Sequence, residues 1–539
     1  MKINREWRAA ILIALIAAAI LQIPYALGYL FARPGTEYQG LLVNVEDFSY
    51  HAIMLQGYEG AWQYQIQFTP EAHAPAFIYG FYLALGHVAR VIGISIVAAW
   101  HGALIAFALI LFLALFGFIR LFISDLLTLF VAYLLALFGS GFDWFLFPFE
   151  PFDSVGVAPI DFRMPEAHLF YSALTYPHYS AGITLMLAAF YFARRAQDEK
   201  KIAFAFCAGV ANLLLAIVFP FLILLTGGVL GADWVHRCRL ERRILWLAAR
   251  NLIIAFIIPL PLLFYYAAIL QSNEIFRVWN AQATTLSPNP LHYLLAYGVM
   301  LALAVLSSRG VARNDTMLLW LWLFVVALLL YAPLGAQRRF VLGVQIPLAI
   351  LAAIGITRVV LPRLQVSRLF RVLAARRGYS AAGLRRLLVV ALLFFISSAN
   401  FAILVRHSIF TAVEQPDAFF RARAEIAAMD WLRAHSARSD TVLGAYWTGS
   451  FIPARAGNRV FVGQRYETAF FDDKMRSVEA FFSASARDDW REYLLAQYRV
   501  AYVFYGPRER DLGAFDPARS QYLERAYAND QVTIYRVKP

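Results

Sequence analysis

Eleven apolar runs constrain this chain more than any other feature. They lie near 9–31, 96–119, 125–142, 171–193, 202–218, 219–235, 244–270, 291–307, 316–333, 340–360 and 387–405. About 20 apolar residues are what a helix needs to cross the hydrocarbon core of a bilayer. In that core every backbone polar group must find its partner inside the segment, which leaves the helix as the working solution. The sequence therefore predicts a polytopic α-helical membrane protein. Only 15% of its 539 residues are charged and 61% are hydrophobic, against roughly 25% charged in soluble domains. That balance excludes disordered, fibrous and ordinary soluble-enzyme classes. Cys207 lies in an apolar run and Cys238 among arginines. Two cysteines so placed build neither a disulfide framework nor a cysteine-rich metal site.

The net charge of +13 divides into +11 over residues 1–405 and +2 over 406–539. An excess confined to the apolar part matches the positive-inside bias of membrane loops and calls for no nucleic acid. The basic start MKINREWR leads into a run too long for a signal peptide, with no small-residue cleavage site after it. It reads as an uncleaved first span with a cytoplasmic N-terminus. Pro220 splits 202–235 into two short helices. A single helix there would place the basic HRCRLERR stretch, 236–243, outside. With the split, loops 194–201, 236–243, 307–313 and 361–386 all fall inside. The last holds seven arginines and no acid, and its Leu364, Leu369, Phe370 and Leu373 suit an amphipathic helix on anionic lipid.

Loops 33–95 and 143–170 then face outside, as does the tail. The expected organisation is a membrane domain over 1–405 and a small extracytoplasmic α/β domain over 406–539. In the tail, Asp417–His435 has helical periodicity. Thr441–Tyr446, Arg459–Val462, Val500–Tyr505 and Val532–Val537 read as strands, with helices near 473–483 and 488–497.

The first outer loop is the richest in chemistry. Glu46 and Asp47 are adjacent acids just beyond a span, and His51 follows Asp47 by one helical turn. Carboxylates and imidazoles at a membrane surface suit general-base work or ligation of a divalent cation such as Mg or Mn. An isolated acidic pair is more often a helix cap in a solvated loop. The aromatic residues Tyr50, Tyr58, Trp62, Tyr64 and Phe68 suit a sugar-stacking surface or an interfacial belt. The second outer loop carries Asp143, Glu150, Asp153, Asp161, Glu166 and His168, and leads to His178 at the start of the next span. Asp153 and Glu166 could join Asp47 and His51 around a metal. His236 and His292 read as having no functional role. Arg338 and Arg339 are a basic pair on the outer side, against the charge bias. Guanidiniums there suit a lipid-linked phosphate, lipid headgroups or a salt bridge to an outer acid. No P-loop, dinucleotide fingerprint, HExxH or GxSxG pattern is present.

Together these features resemble the GT-C class of membrane glycosyltransferases. That class includes protein O-mannosyltransferases, arabinosyltransferases and the aminoarabinose transferase of lipid A. The resemblance covers roughly 8–405. It rests on Glu46-Asp47 and Tyr50 after the first span, the second acidic loop, PHYSAG (Pro177–Gly182) and PLGAQRRF (Pro333–Phe340). The YWTG (446–449) and VFYGPRER (503–510) stretches are similar to the outer domain that ends many prokaryotic members. The pair here is Glu-Asp where such motifs are often Asp-Asp or Asp-Glu, which leaves the two acids as alternatives for one role. The resemblance implies an integral protein of a prokaryotic plasma membrane that moves a sugar from a polyprenyl-phosphate lipid to an acceptor glycan, lipid or protein outside. Asp47 or Glu46 would serve as base, Arg338 and Arg339 would hold the donor phosphate, and Tyr50, Trp62, Tyr64 and His178 would bind substrate. The competing readings are a transporter or flippase and a non-catalytic scaffold. Acids clustered in outer loops, with spans nearly free of charge, favour surface chemistry over a transport path.

Overall fold

The computed structural model describes residues 4–146, 155–309, 316–375 and 380–538. Its helices follow the apolar runs closely, because hydropathy changes sharply where a chain passes from lipid to water. The runs at 96–119 and 202–218 are the helices Ile96–Ile119 and Ile202–Val218. The chain breaks over 219–221 and resumes as Leu222–Glu241, the division expected at Pro220. Arg5–Phe31, Ile96–Ile119, Leu126–Leu146, Pro290–Ser307 and Gln337–Gln365 are single helical stretches long and apolar enough to cross a membrane. Two bent pairs also qualify: Trp246–Ile257 with Leu260–Ser272, bent by 43°, and Ala381–Ile396 with Ser398–Glu414, bent by 55°. Pro259 lies at the first bend, where a proline removes a helical hydrogen bond. The chain is an integral membrane protein. The run at 171–193 is Leu169–Thr175 followed, after Tyr176, by Pro177–Asp198.

The chain forms two compact units. One comprises Met1–Ile23, Leu104–Leu263 and Thr285–His407; the other comprises Pro24–Ala103, Phe264–Thr284 and Ser408–Pro539.

The first unit is a helix bundle. Pro177–Asp198 packs on Ile202–Val218, and that helix on Trp246–Ile257. Pro290–Ser307 packs on Gln345–Gly355, which also meets Leu126–Phe138. Lipid supplies no hydrophobic force between helices, so buried amides act as pins. Gln345, 1% exposed, donates to the carbonyls of Leu135 and Gly139 and accepts from the Leu169 N–H. It thereby fixes where one helix ends and where the chain re-enters the bundle at Leu169.

The second unit joins the segment Pro24–Ala103 to the tail. Strand β1 (Thr36–Tyr38) pairs antiparallel with β2 (Phe420–Ala422). Phe48–Tyr58 and Gly80–Ile92 then cross tightly. A Cβ on Gly57 would lie 2.2 Å from the Leu83 carbonyl oxygen, and one on Gly86 would lie 2.0 Å from that of Met54. Only hydrogen fits at either position. The tail builds a five-stranded sheet from β3 (Thr441–Leu443), β4 (Arg459–Val460), β5 (Val500–Tyr505), β6 (Leu523–Ala528) and β7 (Thr533–Val537), in the order β4-β3-β5-β7-β6. β3 runs parallel to β4 and β5; β7 is antiparallel to β5 and β6. Helices 471–482 and 488–497 stand where expected. Leu443, Phe461, Val478, Phe481, Leu495 and Val503 form the core. The helix Tyr446–Arg455 packs on Phe48–Tyr58, with the Phe451 and Phe48 rings 4.7 Å apart. Arg421 is fully buried between these rings, donating to Glu425 Oε1 (3.0 Å) and the Trp447 carbonyl (2.9 Å).

Candidate active site

The acidic pair lies within a short 3-10 turn, Val45–Asp47, that leads into Phe48–Tyr58. Asn44 caps the turn: its side chain accepts from the Glu46 N–H (3.1 Å) and its own N–H donates to Asp47 Oδ2 (3.2 Å). The helix-cap reading is thus realised, in a reciprocal capping box. Asp47 is only 8% exposed. Glu46 Oε1 accepts from the Tyr446 hydroxyl (2.7 Å) and the Arg465 N–H (3.1 Å). The motif is therefore held by the tail through residues some 400 positions away. Burial, with the neighbouring Glu46 carboxylate, pushes the Tyr446 hydroxyl up, so it stays a donor.

His51 is buried beside Trp100 and Phe48, its Nε2 without a hydrogen bond. Burial, with the nearby His101, lowers its pKa to about 3. It is a neutral core imidazole. Tyr50 stacks on Tyr82 with ring centres 4.5 Å apart. Trp62 is more than half exposed and stacks on His87 at 4.0 Å. Tyr64 is 1% exposed and donates its hydroxyl to Glu467 Oε2. Its ring therefore has no face for a sugar, which corrects the stacking expectation, and Phe68 is likewise buried.

Buried ionisable groups surround this loop. Glu467 is fully enclosed, and burial raises its pKa to about 7, with the Tyr64 bond pulling the other way and Glu46 adding to the rise. Lys474, 2% exposed, bonds Glu71 (2.7 Å) and Thr69 (3.0 Å). Burial lowers its pKa to about 8. His73 Nε2 accepts from the Ile66 N–H (3.0 Å), which places its proton on Nδ1 for the bond to the Glu71 carbonyl (2.9 Å).

In the first unit, Arg338 lies in the turn Gln337–Val341. Its backbone N–H donates to the Thr285 carbonyl, and Gln337 accepts from the Ser287 N–H, so two loops are stitched together. Arg338 Nε donates to Glu166 Oε1 at 3.1 Å. The salt bridge of Arg338 to an acid of the second acidic loop is therefore real, and Glu166 is ion-paired. The terminal guanidinium nitrogens of Arg338 make no contact with a described residue that would occupy them. Arg339 is half-buried beside it. His178 is 5% exposed, within a cluster of Tyr176, Tyr179 and Phe219.

Two Asp–His pairs brace the segment 143–168. Asp143 meets His292 Nδ1 (2.8 Å) and accepts from the Ile160 N–H (2.7 Å). Asp161 meets His168 Nε2 (2.7 Å) and accepts from the Trp144 N–H (3.2 Å). Each aspartate thus bonds the neighbour of the other. His292, expected to have no role, is one of the four. Spacing gives no sign of a pair 149 residues apart. Glu150 and Asp153 lie outside the described residues. Among the described residues no group of three or more His, Cys, Asp or Glu could hold a metal. The expected ligands Asp47, His51 and Glu166 are engaged as a cap, a core ring and an ion pair.

No family model and no curated protein matches the chain by sequence. Solved structures match it by fold. The structure of ArnT from Cupriavidus metallidurans bound to undecaprenyl phosphate has a TM-score of 0.51 at 10% identity, covering 96% of this chain and 97% of that one. The Archaeoglobus fulgidus oligosaccharyltransferase tethered with an acceptor peptide has a TM-score of 0.52 at 14% identity, covering 93% and 69%. The same archaeal enzyme is also solved in complex with Zn and sulfate. The arabinofuranosyltransferase AftD from Mycobacteria has a TM-score of 0.53 at 14% identity, covering all of this chain and 40% of that one. At such identities the likeness is one of fold, and the structural neighbours are glycosyltransferases of the GT-C class that the sequence resembled.

Proposed function

We propose that this protein transfers a sugar from a polyprenyl-phosphate donor to an acceptor hydroxyl on the outer side of the membrane. Eleven spans, a cytoplasmic N-terminus and outer loops at 33–95 and 143–170 complete the reading. The acceptor oxygen attacks the anomeric carbon as the bond from that carbon to the phosphate oxygen breaks. The phosphate leaves with the bonding pair as a stable anion, and configuration inverts in the single displacement. Asp47 takes the hydroxyl proton, as a positioned carboxylate can. Arg338, with Arg339, holds the phosphate as charge develops on it. Glu46 ties the motif to the tail through Tyr446 and Arg465.

One observation carries most weight. Glu166 orients Arg338 through Nε, and the fork of terminal nitrogens suits bidentate contact with phosphate oxygens. The fold adds support, since ArnT is solved with undecaprenyl phosphate.

The test is transfer by the purified protein from a panel of polyprenyl-phosphate hexoses and pentoses. Asp47→Asn should abolish transfer while expression is kept. Arg338→Ala should lose about ten- to hundredfold in donor affinity or rate, the equivalent of roughly 1.5–3 kcal/mol for a contact to a charged group. Arg338→Lys should recover only part, because lysine lacks the fork. Parent-like transfer by Asp47→Asn, or by both Arg338→Ala and Arg339→Ala, would refute the assignment. A reporter after Pro539 should be active outside the cytoplasm; activity inside would overturn the topology.

A further inference from the structure

A cleft of about 380 Å³ opens in the second unit against the segment 465–473, within the size range of ligand clefts. Its lining combines two exposed rings with planar polar groups. Phe470 is 51% exposed and Tyr466 is 36% exposed. Phe470 also has a left-handed backbone, φ +57°. A bulky residue rarely adopts that conformation, and such outliers gather at ligand clamps. Neither burial nor backbone preference explains an aromatic ring held out in this way.

The loop beneath is fixed in advance. Gln282 Nε2 donates to the carbonyls of both Tyr466 and Thr468, each at 3.0 Å. The Arg465 guanidinium lies over the Phe471 ring, 5.4 Å from its centre. Asp472 is exposed and makes no ion pair among the described residues, whereas its neighbour Asp473 is taken by Arg476. Rings that cover C–H faces, with a carboxylate and a guanidinium for paired hydroxyls, are the chemistry of saccharide recognition. With Asp473 paired to Arg476, the lining leaves one guanidinium and one carboxylate, a balance that suits a neutral ligand. The cleft also adjoins the motif, because the N–H of Arg465 holds Glu46.

We propose that this cleft binds a neutral saccharide, as the acceptor subsite of the transfer reaction on which this inference rests. Tyr466 and Phe470 stack on the sugar, and Asp472 and Arg465 bond its hydroxyls. The experiment is saturation-transfer NMR with the full chain in detergent, using methyl α-D-mannopyranoside, methyl α-D-arabinofuranoside and inorganic phosphate as probes. At least one glycoside should bind and phosphate should not compete. Tyr466→Ala, Phe470→Gly and Asp472→Asn should each weaken binding by roughly tenfold. Phe470→Gly relieves the left-handed backbone, so its effect is not a folding defect. The absence of glycoside binding by the parent, competition by phosphate, or parent-like binding in all three variants would overturn the proposal. Asp47→Asn should bind the glycosides as the parent does. Transfer surviving in that variant, with binding lost in the cleft variants, would refute the base and keep the cleft.

Discussion

Glu467 offers the sharpest thermodynamic test. Its carboxyl is 2% exposed, and burial raises its pKa from 4.5 to about 7. Below pH 4.5 both the folded and unfolded chains carry this proton, and the group contributes nothing. Between 4.5 and 7 the unfolded chain releases the proton and the folded chain keeps it. Folding then takes up a proton, so stability falls as pH rises through this window and levels off above it. The shift corresponds to about 3 kcal/mol. Glu467→Gln keeps an acceptor for the Tyr64 hydroxyl and removes the charge. The variant should match or slightly trail the parent at pH 4.5 and exceed it by up to about 3 kcal/mol at pH 8. For a unit of this size that is roughly 6–12 °C in midpoint. The assay is thermal unfolding of both detergent-solubilised proteins at half-unit pH steps, followed by tryptophan emission. A parent–variant difference that does not change with pH would refute the burial argument. A difference that grows toward acid would mean the carboxylate is stabilised where it lies.

Three further outcomes follow from the packing. Gly86→Ala forces a Cβ to 2.0 Å from the Met54 carbonyl and should cost about 1–3 kcal/mol by overpacking; unchanged thermal stability would show that the helices can part. His292→Ala leaves the buried Asp143 without its imidazole and should cost roughly 1.5–3 kcal/mol, with faster hydrogen exchange over 155–168; protection equal to the parent would remove the bracing role. Residues 412–539 alone should keep the sheet, because the core from Leu443 to Tyr535 is contained within them, and should show mixed α/β circular dichroism; a disordered spectrum would make the first loop essential to folding.

The membrane helices were legible because their signal is local. The run at 96–119 and the break at Pro220 needed only hydropathy and one proline. The 55° bend after Ile396 was not legible, since nothing in LLFFISSANF marks it. In the tail, Val500–Tyr505 alternates like a strand and was found, while LERAYA at 523–528 carries an adjacent Glu-Arg pair that breaks the alternation and was not. Tyr446–Arg455 forms a helix from Trp, Thr, Gly, Ser and Pro against propensity, because Phe451 packs on Phe48. At the site the acids were visible and their partners were not. Tyr446, Arg465 and Glu467 are selected by tertiary contact, for which one sequence offers no period. Tyr64 shows the converse: an aromatic residue in a long loop looks like surface until the tail covers it.

The pairing of β1 with β2 has a consequence for how the protein is made. Thr36 and Ala422 are partners across 386 positions. At roughly 5–20 residues per second of synthesis, the first loop waits on the order of 20–80 s for its strand partner. During that wait the Glu46–Asp47 turn has no Tyr446, and the edge of β1 has no mate. A newly made loop of this kind is open to proteases and to the loops of neighbouring nascent chains. Slowing the ribosome within codons 300–400 should therefore lower yield without any change of amino acid, a cost set by the clock rather than by the final contacts.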